Sequence, residues 1–92
     1  MIVVVDENEY VLEKNYKEGF FEEDFKEKYT DYFEPFDYIF GDYSYDSLRL
    51  KGFYKKQNKN CRNINCIDTL DSYIKDFCSY DCRYFLLKKV KK

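Results

Sequence analysis

Apolar positions along this chain switch between two periods, and the switches outline the elements. Ile2, Val3, Val4 and Val5 form a short β-branched run, which favours a strand. Asp6, Glu7, Asn8 and Glu9 follow as a polar turn. Tyr10-Val11-Leu12-Glu13 then resumes an extended pattern, so a β-hairpin is predicted, and Lys17-Glu18-Gly19 ends it. Phe21, Phe25, Tyr29, Tyr32 and Phe33 recur at the spacing of one helical face. Glu22, Glu23 and Asp24 suit the positive end of the helix dipole, and Pro35 cannot continue the helix. The spacing predicts a helix over 21–33.

The second half repeats the alternation. Tyr38-Ile39-Phe40 reads as a short strand ending at Gly41-Asp42. Leu48 and Leu50 alternate with Arg49, Lys51 and Phe53, the period of a half-buried strand. The polar connection from Asp42 to Ser47 carries Tyr43 and Tyr45 and fits a second hairpin. Residues 55–65 are almost without apolar side chains and predict an exposed, mobile basic loop. Leu70, Tyr73, Ile74, Phe77 and Cys78 give a second helical face, with Asp68 as N-cap and Ile67 as staple. Tyr84-Phe85-Leu86-Leu87 is a continuous apolar run, short enough for a strand buried on both faces. A basic tail, 88–92, closes the chain. The order β-β-α-β-β-α-β predicts an α+β fold in one domain, 1–92: a mixed, mostly antiparallel sheet with two helices packed on one face.

Three segments together resemble the YutD-like family of small cytosolic proteins of Gram-positive bacteria and their relatives. They are Tyr16-Lys17-Glu18-Gly19-Phe20, the pattern Asp37-Tyr38-Ile39-x-Gly41-Asp42, and Leu48-Arg49-Leu50-Lys51-Gly52-Phe53. The tail Cys78-Ser79-Tyr80-Asp81-Cys82-Arg83-Tyr84-Phe85 is similar to that family's C-terminal segment. Family members commonly carry an aromatic and a Gly in the turn after Asp42. Here the turn reads Tyr43-Ser44-Tyr45-Asp46, without the Gly. The resemblance implies an α+β fold and a cytoplasmic protein, and carries over no catalytic or ligand-binding residue.

Composition adds a core of unusual make-up. The 92 residues include eleven Tyr and nine Phe but no Trp, and a few aromatics fill a core this small. The remaining phenols are expected at the boundary with water. No stretch approaches a membrane span, and the first residues lack the basic region of a signal peptide. A cytoplasmic protein is expected, and with it four cysteines as thiols rather than disulfides.

Charge is divided along the chain. Residues 1–46 hold four Lys against fourteen Asp or Glu, net −10; residues 47–92 hold twelve Lys or Arg against four Asp, net +8. Two readings follow: the halves neutralise each other across the fold, or the split faces an electrostatic partner.

Candidate chemistry is sparse. With no His, there is no Ser-His or Cys-His pair and no imidazole base near neutral pH, so a non-enzyme is expected. Asp37, Asp42 and Asp46 lie close in sequence, but no recognisable cation loop surrounds them, and Asp42 after Gly41 is expected to fix a turn. Cys61, Cys66, Cys78 and Cys82 read C-x4-C-x11-C-x3-C, looser than the knuckle of a structural zinc site, and leave zinc open. No cofactor, metal or small-molecule substrate is inferred. The glycines are expected to allow positive φ or close strand packing. A non-catalytic binding or adaptor protein with a protein partner is the favoured function, because Tyr and Arg are favoured at interfaces. The alternative is an RNA or single-strand binder, in which cations follow phosphates and rings stack on bases. For either, the candidate residues are Arg49, Lys51, Phe53, Tyr43, Tyr45, Lys55 and Lys56.

Overall fold

The computed structural model describes residues 1–44, 46–77 and 82–90, the side chains of Ser44 and Phe77 aside. The elements are β1 (Ile2–Val5), β2 (Asn8–Tyr16), α1 (Glu22–Lys28), β3 (Tyr38–Ser44), β4 (Ser47–Phe53), α2 (Leu70–Phe77) and β5 (Tyr84–Lys89). The five strands form one sheet in the order β1-β2-β5-β3-β4, and every neighbouring pair is antiparallel. The α+β class and the order of elements are those the sequence predicts.

Local chemistry sets the hairpins. Val5 pairs with Asn8, leaving Asp6 and Glu7 as a two-residue turn with φ of 48° and 68°. Positive φ at both positions matches the twist of the flanking strands. In the second hairpin Ser44 pairs with Ser47, and Asp46 has φ 64°. β2 runs to Tyr16 and stops at Lys17-Glu18-Gly19, where the sequence predicts its end, with a bulge between Leu12 and Lys14.

The placement of the helices corrects the expectation that both pack on one face. Ile39 pairs with Leu87, and Phe40 with Leu86. The first pair belongs to a core with Phe25 of α1 and with Tyr29, the residue after that helix; the second belongs to a core with Phe53 and with Leu70 of α2. Neighbouring strand residues point to opposite faces, so the helices cover opposite sides of the sheet. The cause is β5. Its central place makes Phe85, Leu86 and Leu87 buried on both faces, and each face then needs its own cover.

α1 is shorter than its apolar spacing suggests. It stops at Lys28, Tyr29 turns extended (ψ 135°), and a separate 3₁₀ turn spans Asp31–Phe33. The turn lets the Tyr29 hydroxyl meet that of Tyr10 at 3.2 Å in the core. It also takes Tyr32 off the buried face, leaving it 67% exposed. Asp68 does not cap α2: it lies inside a 3₁₀ turn, Ile67–Thr69, that leads into the helix. Cys78, predicted on that helix's apolar face, falls outside the described residues, as do Tyr45, Lys91 and Lys92.

Two glycines serve close packing, and no described glycine has positive φ. A Cβ on Gly41 would sit 2.2 Å from Cζ of Phe85. One on Gly52 would sit 2.3 Å from the Phe36 ring. Each missing side chain is the space a ring occupies.

Candidate interaction surface

The predicted binding residues divide between the two faces of the β3–β4 hairpin. Asp42 and Arg49 are cross-strand partners on the α2 face. The Arg49 Nε–H donates to Asp42 Oδ1 at 3.2 Å, and Nη2 donates to Oδ2. Asp42 is only 1% exposed, so its charge rests largely on this fork. The hydrogen bonds raise the Arg49 pKa further above its ordinary value. Asp42 is therefore not the turn-former its sequence position suggested: β3 continues two residues beyond it, to Ser44, and the carboxylate faces a guanidinium instead of its own backbone.

Lys51 lies on the same face. Its Nζ sits 5.1 Å from the centroid of Phe53 and 5.5 Å from that of Tyr73. Phe53 is wholly enclosed, edge-on to Tyr73 at 5.7 Å, and offers its ring to these neighbours rather than to solvent. Burial raises the Tyr73 pKa, and the negative charge of Asp42 adds to it.

Tyr43 sits on the α1 face. Its hydroxyl donates to Asp24 Oδ2 at 2.7 Å. Partial burial, then this hydrogen bond, push its pKa up to about 12. The Arg83 guanidinium lies 5.2 Å from the Tyr43 ring and 5.5 Å from the Phe21 ring. The two rings meet edge-on at 6.0 Å. Arg83 is exposed, and Phe21 is 45% exposed. The cluster is thus a surface unit in which a cation holds two rings in place. Sequence reasoning missed Phe21 and Arg83. Phe21 matched the buried helical face, but it precedes α1 as the extended N-cap residue and faces outward. Arg83 carried no signal, because the register of β5 alone brings it beside Tyr43, whose N–H donates to the Arg83 carbonyl at 3.1 Å.

Lys55 and Lys56 begin the basic loop. Asp37, 4% exposed, anchors that loop by accepting from the Lys55 N–H at 2.9 Å and from Asn58 Nδ2 at 3.0 Å. Lys56 is exposed. A groove of about 530 Å³ opens beside the anchor, lined by Val11, Glu13, Tyr38 and Lys88 among others. At the far end of the loop Cys61 and Cys66 are joined by a disulfide, which corrects the expectation of four thiols. A tight turn sets their Cα atoms 4.6 Å apart, within bridging range. Cys82 is disulfide-bonded as well. The Asp68 carboxylate lies within 4.8 Å of both Cys61 and Cys66 sulfurs, but sulfurs bonded to each other offer no thiolate pair to a metal.

Comparison with known proteins agrees with this architecture. The family model described as "Putative antitoxin YutD-like" matches residues 4–88. The chain belongs to the YutD-like family. It is 43% identical over 91 residues to "Putative antitoxin YutD" of Bacillus subtilis (strain 168), covering 99% of this chain and 100% of that protein. The solution NMR structure of protein yutD from B. subtilis superposes with a TM-score of 0.84 at 42% identity, covering 100% of this chain and 84% of that one. The match spans both faces of the sheet, so the fold around the Phe21, Tyr43 and Arg83 cluster is the family's. No helix among the described residues is long and apolar enough to cross a membrane.

Proposed function

We propose that this YutD-like chain is a cytoplasmic, non-catalytic binding protein that acts by docking another protein. The observation that carries the reading is the exposed Phe21–Arg83–Tyr43 cluster. Tyr and Arg are the side chains that dominate interface energetics, and here the cation holds the rings in place before any partner arrives. α1 borders the cluster with exposed Glu22, Glu23, Asp24 and Glu27, so the partner is a protein with a basic docking face. The "antitoxin" in the name of the B. subtilis relative supports a toxin as that partner. The lack of any His supports a non-catalytic role.

The RNA alternative draws less support from the geometry. Arg49 is engaged with Asp42, and Phe53 is enclosed. Lys55 and Lys56 remain as candidate phosphate contacts.

Affinity capture from native lysate tests the choice, using wild type, Phe21→Ala and Arg83→Glu, each checked for fold by circular dichroism. A basic protein retained by wild type and reduced about tenfold or more in both variants supports the reading. Equal retention by all three overturns the site. Micromolar RNA binding that falls steeply with salt and is lost in Lys56→Ala/Lys59→Ala overturns the protein partner in favour of nucleic acid.

A further inference from the structure

We propose that Cys61 and Cys66 form a reversible thiol–disulfide exchange site for low-molecular-weight thiols, and that its redox state sets how tightly residues 59–65 are held against the sheet.

The first support is asymmetry of access. Cys61 is partly exposed, whereas Cys66 is 6% exposed. An incoming thiolate RS⁻ therefore reaches Sγ of Cys61. The new bond is RS–Sγ of Cys61; the bond that breaks is the disulfide, and Cys66 leaves as the thiolate. A second RS⁻ attacks the sulfur of the R group, giving RSSR and the Cys61 thiolate. Two electrons pass from two external thiols to the protein disulfide, and protons are taken from water. In the oxidising direction the Cys66 thiolate attacks the mixed disulfide on Cys61 and expels RS⁻.

Charge is the second support. Lys59 and Arg62 flank Cys61, and the Arg62 guanidinium donates to the carbonyls of both Lys59 and Cys61, at 2.9 and 3.3 Å. The positive surround draws an incoming anionic thiolate to this end of the loop.

The third support is that the fold does not depend on the bridge. Cys66 is held independently of its sulfur: the Tyr54 N–H donates to the Asn65 carbonyl at 2.7 Å, and the Ile67 N–H donates to the Tyr54 carbonyl at 2.8 Å. Neither cysteine belongs to either core cluster. The bond ties down only Cys61 and the turn that follows it, in which the Arg62 N–H also donates to Asn65 Oδ1 at 2.8 Å. Opening the bridge releases a loop and leaves the sheet, which is what a reversible site requires and a structural disulfide does not allow.

The test uses the full chain as Cys78→Ser/Cys82→Ser, so that any thiol signal comes from Cys61 and Cys66. The folded protein is equilibrated with reduced or oxidised glutathione, alkylated with iodoacetamide and weighed. The expected result is two alkylations after reduction, none after reoxidation and an unchanged far-ultraviolet circular dichroism spectrum. Amide exchange over 59–65 rises about tenfold in the reduced form only. Glutathione is trapped on Cys61 in Cys66→Ser at least several times faster than on Cys66 in Cys61→Ser. No alkylation of the folded protein, or reduction only with loss of the sheet signal, overturns the proposal. Equal trapping at the two cysteines overturns the assignment of Cys61 as the attacked sulfur. If the double serine variant fails to fold, peptide mapping of the wild type after the same treatments gives the same decision.

Discussion

Arg49 on β4 and Asp42 on β3 form a cross-strand fork in which the carboxylate is 1% exposed while 45% of the arginine side chain stays in contact with water. The pair joins the basic half of the chain to the acidic half, so part of the charge division in the sequence is cancelled inside the fold. Removing the arginine strands a buried carboxylate. Arg49→Ala is expected to cost about 2–3 kcal/mol, because a charged group left without its partner loses far more than the net worth of the pair. Urea denaturation checks this: a midpoint within error of wild type would show that water can take the arginine's place. Substituting Arg49 is consequently a poor probe of RNA binding, since lost stability would look like lost affinity.

Gly41 and Phe85 fill one volume between them. A methyl group on Gly41 would meet ring atoms of Phe85 at 2.2–2.9 Å, and the ring is locked among Phe20 and Phe25 on its other sides. Gly41→Ala is expected to destabilise by about 2 kcal/mol through overpacking. In the Phe85→Leu background the same substitution is expected to cost at least ~0.5 kcal/mol less, since the two sites share that space. Thermal or chemical melts of the four proteins complete the cycle, and strict additivity would mean the clash is not what limits residue 41.

Three tyrosines link stability to alkaline pH. Tyr10, Tyr43 and Tyr73 all have raised pKa values, with burial the leading cause in each. A raised value means that the folded state prefers the neutral phenol. The stabilisation is fully present below the unfolded value of 10.0 and is lost for Tyr43 as pH climbs through about 12. Absorbance at 295 nm followed together with circular dichroism should show part of the tyrosinate signal appearing late and with loss of fold. Tyr43→Phe should flatten the decline in stability between those two pH values. Ionisation of all tyrosines in one step near pH 10 with the fold intact would refute the account.

Much of this fold was legible because each element obeys its own period. The strict alternation at Leu48 and Leu50 marked β4, and the unbroken run at Phe85 to Leu87 marked a strand covered on both faces. The same run already implied cover on two sides, yet the helix faces alone do not say which side each helix takes; strand order decides that. Asp42 was misread because Gly-Asp signals a turn only when the strand ends there, and the local sequence does not reveal that Arg49 stands opposite. The Phe21–Arg83–Tyr43 cluster joins residues up to 62 positions apart. Such a site depends on β5 inserting between β2 and β3, a long-range pairing that periodicity cannot supply. The expected compartment argues for thiols at all four cysteines, whereas the tight turn between Cys61 and Cys66 brings their Cα atoms to 4.6 Å, within bridging range.

Asp37 fastens the start of the basic loop, and that anchor can be tested apart from the bridge at its end. The carboxylate is nearly buried and accepts from the Lys55 amide and the Asn58 side chain, while the Asp37 backbone pairs with Phe53 and Lys89. Asp37→Ala keeps the backbone bonds and deletes the side-chain bonds to Lys55 and Asn58, leaving the Lys55 N–H without its acceptor. A loss of about 1–3 kcal/mol is expected, smaller where water reaches the freed donors. Asp37→Asn keeps one acceptor oxygen and should lose less. Hydrogen exchange gives the decisive readout: the Lys55 amide should exchange at least about tenfold faster in Asp37→Ala, while the amides of β5 keep their protection relative to global stability. Faster exchange spread evenly over sheet and loop would mean that Asp37 supports the whole fold rather than the loop it touches.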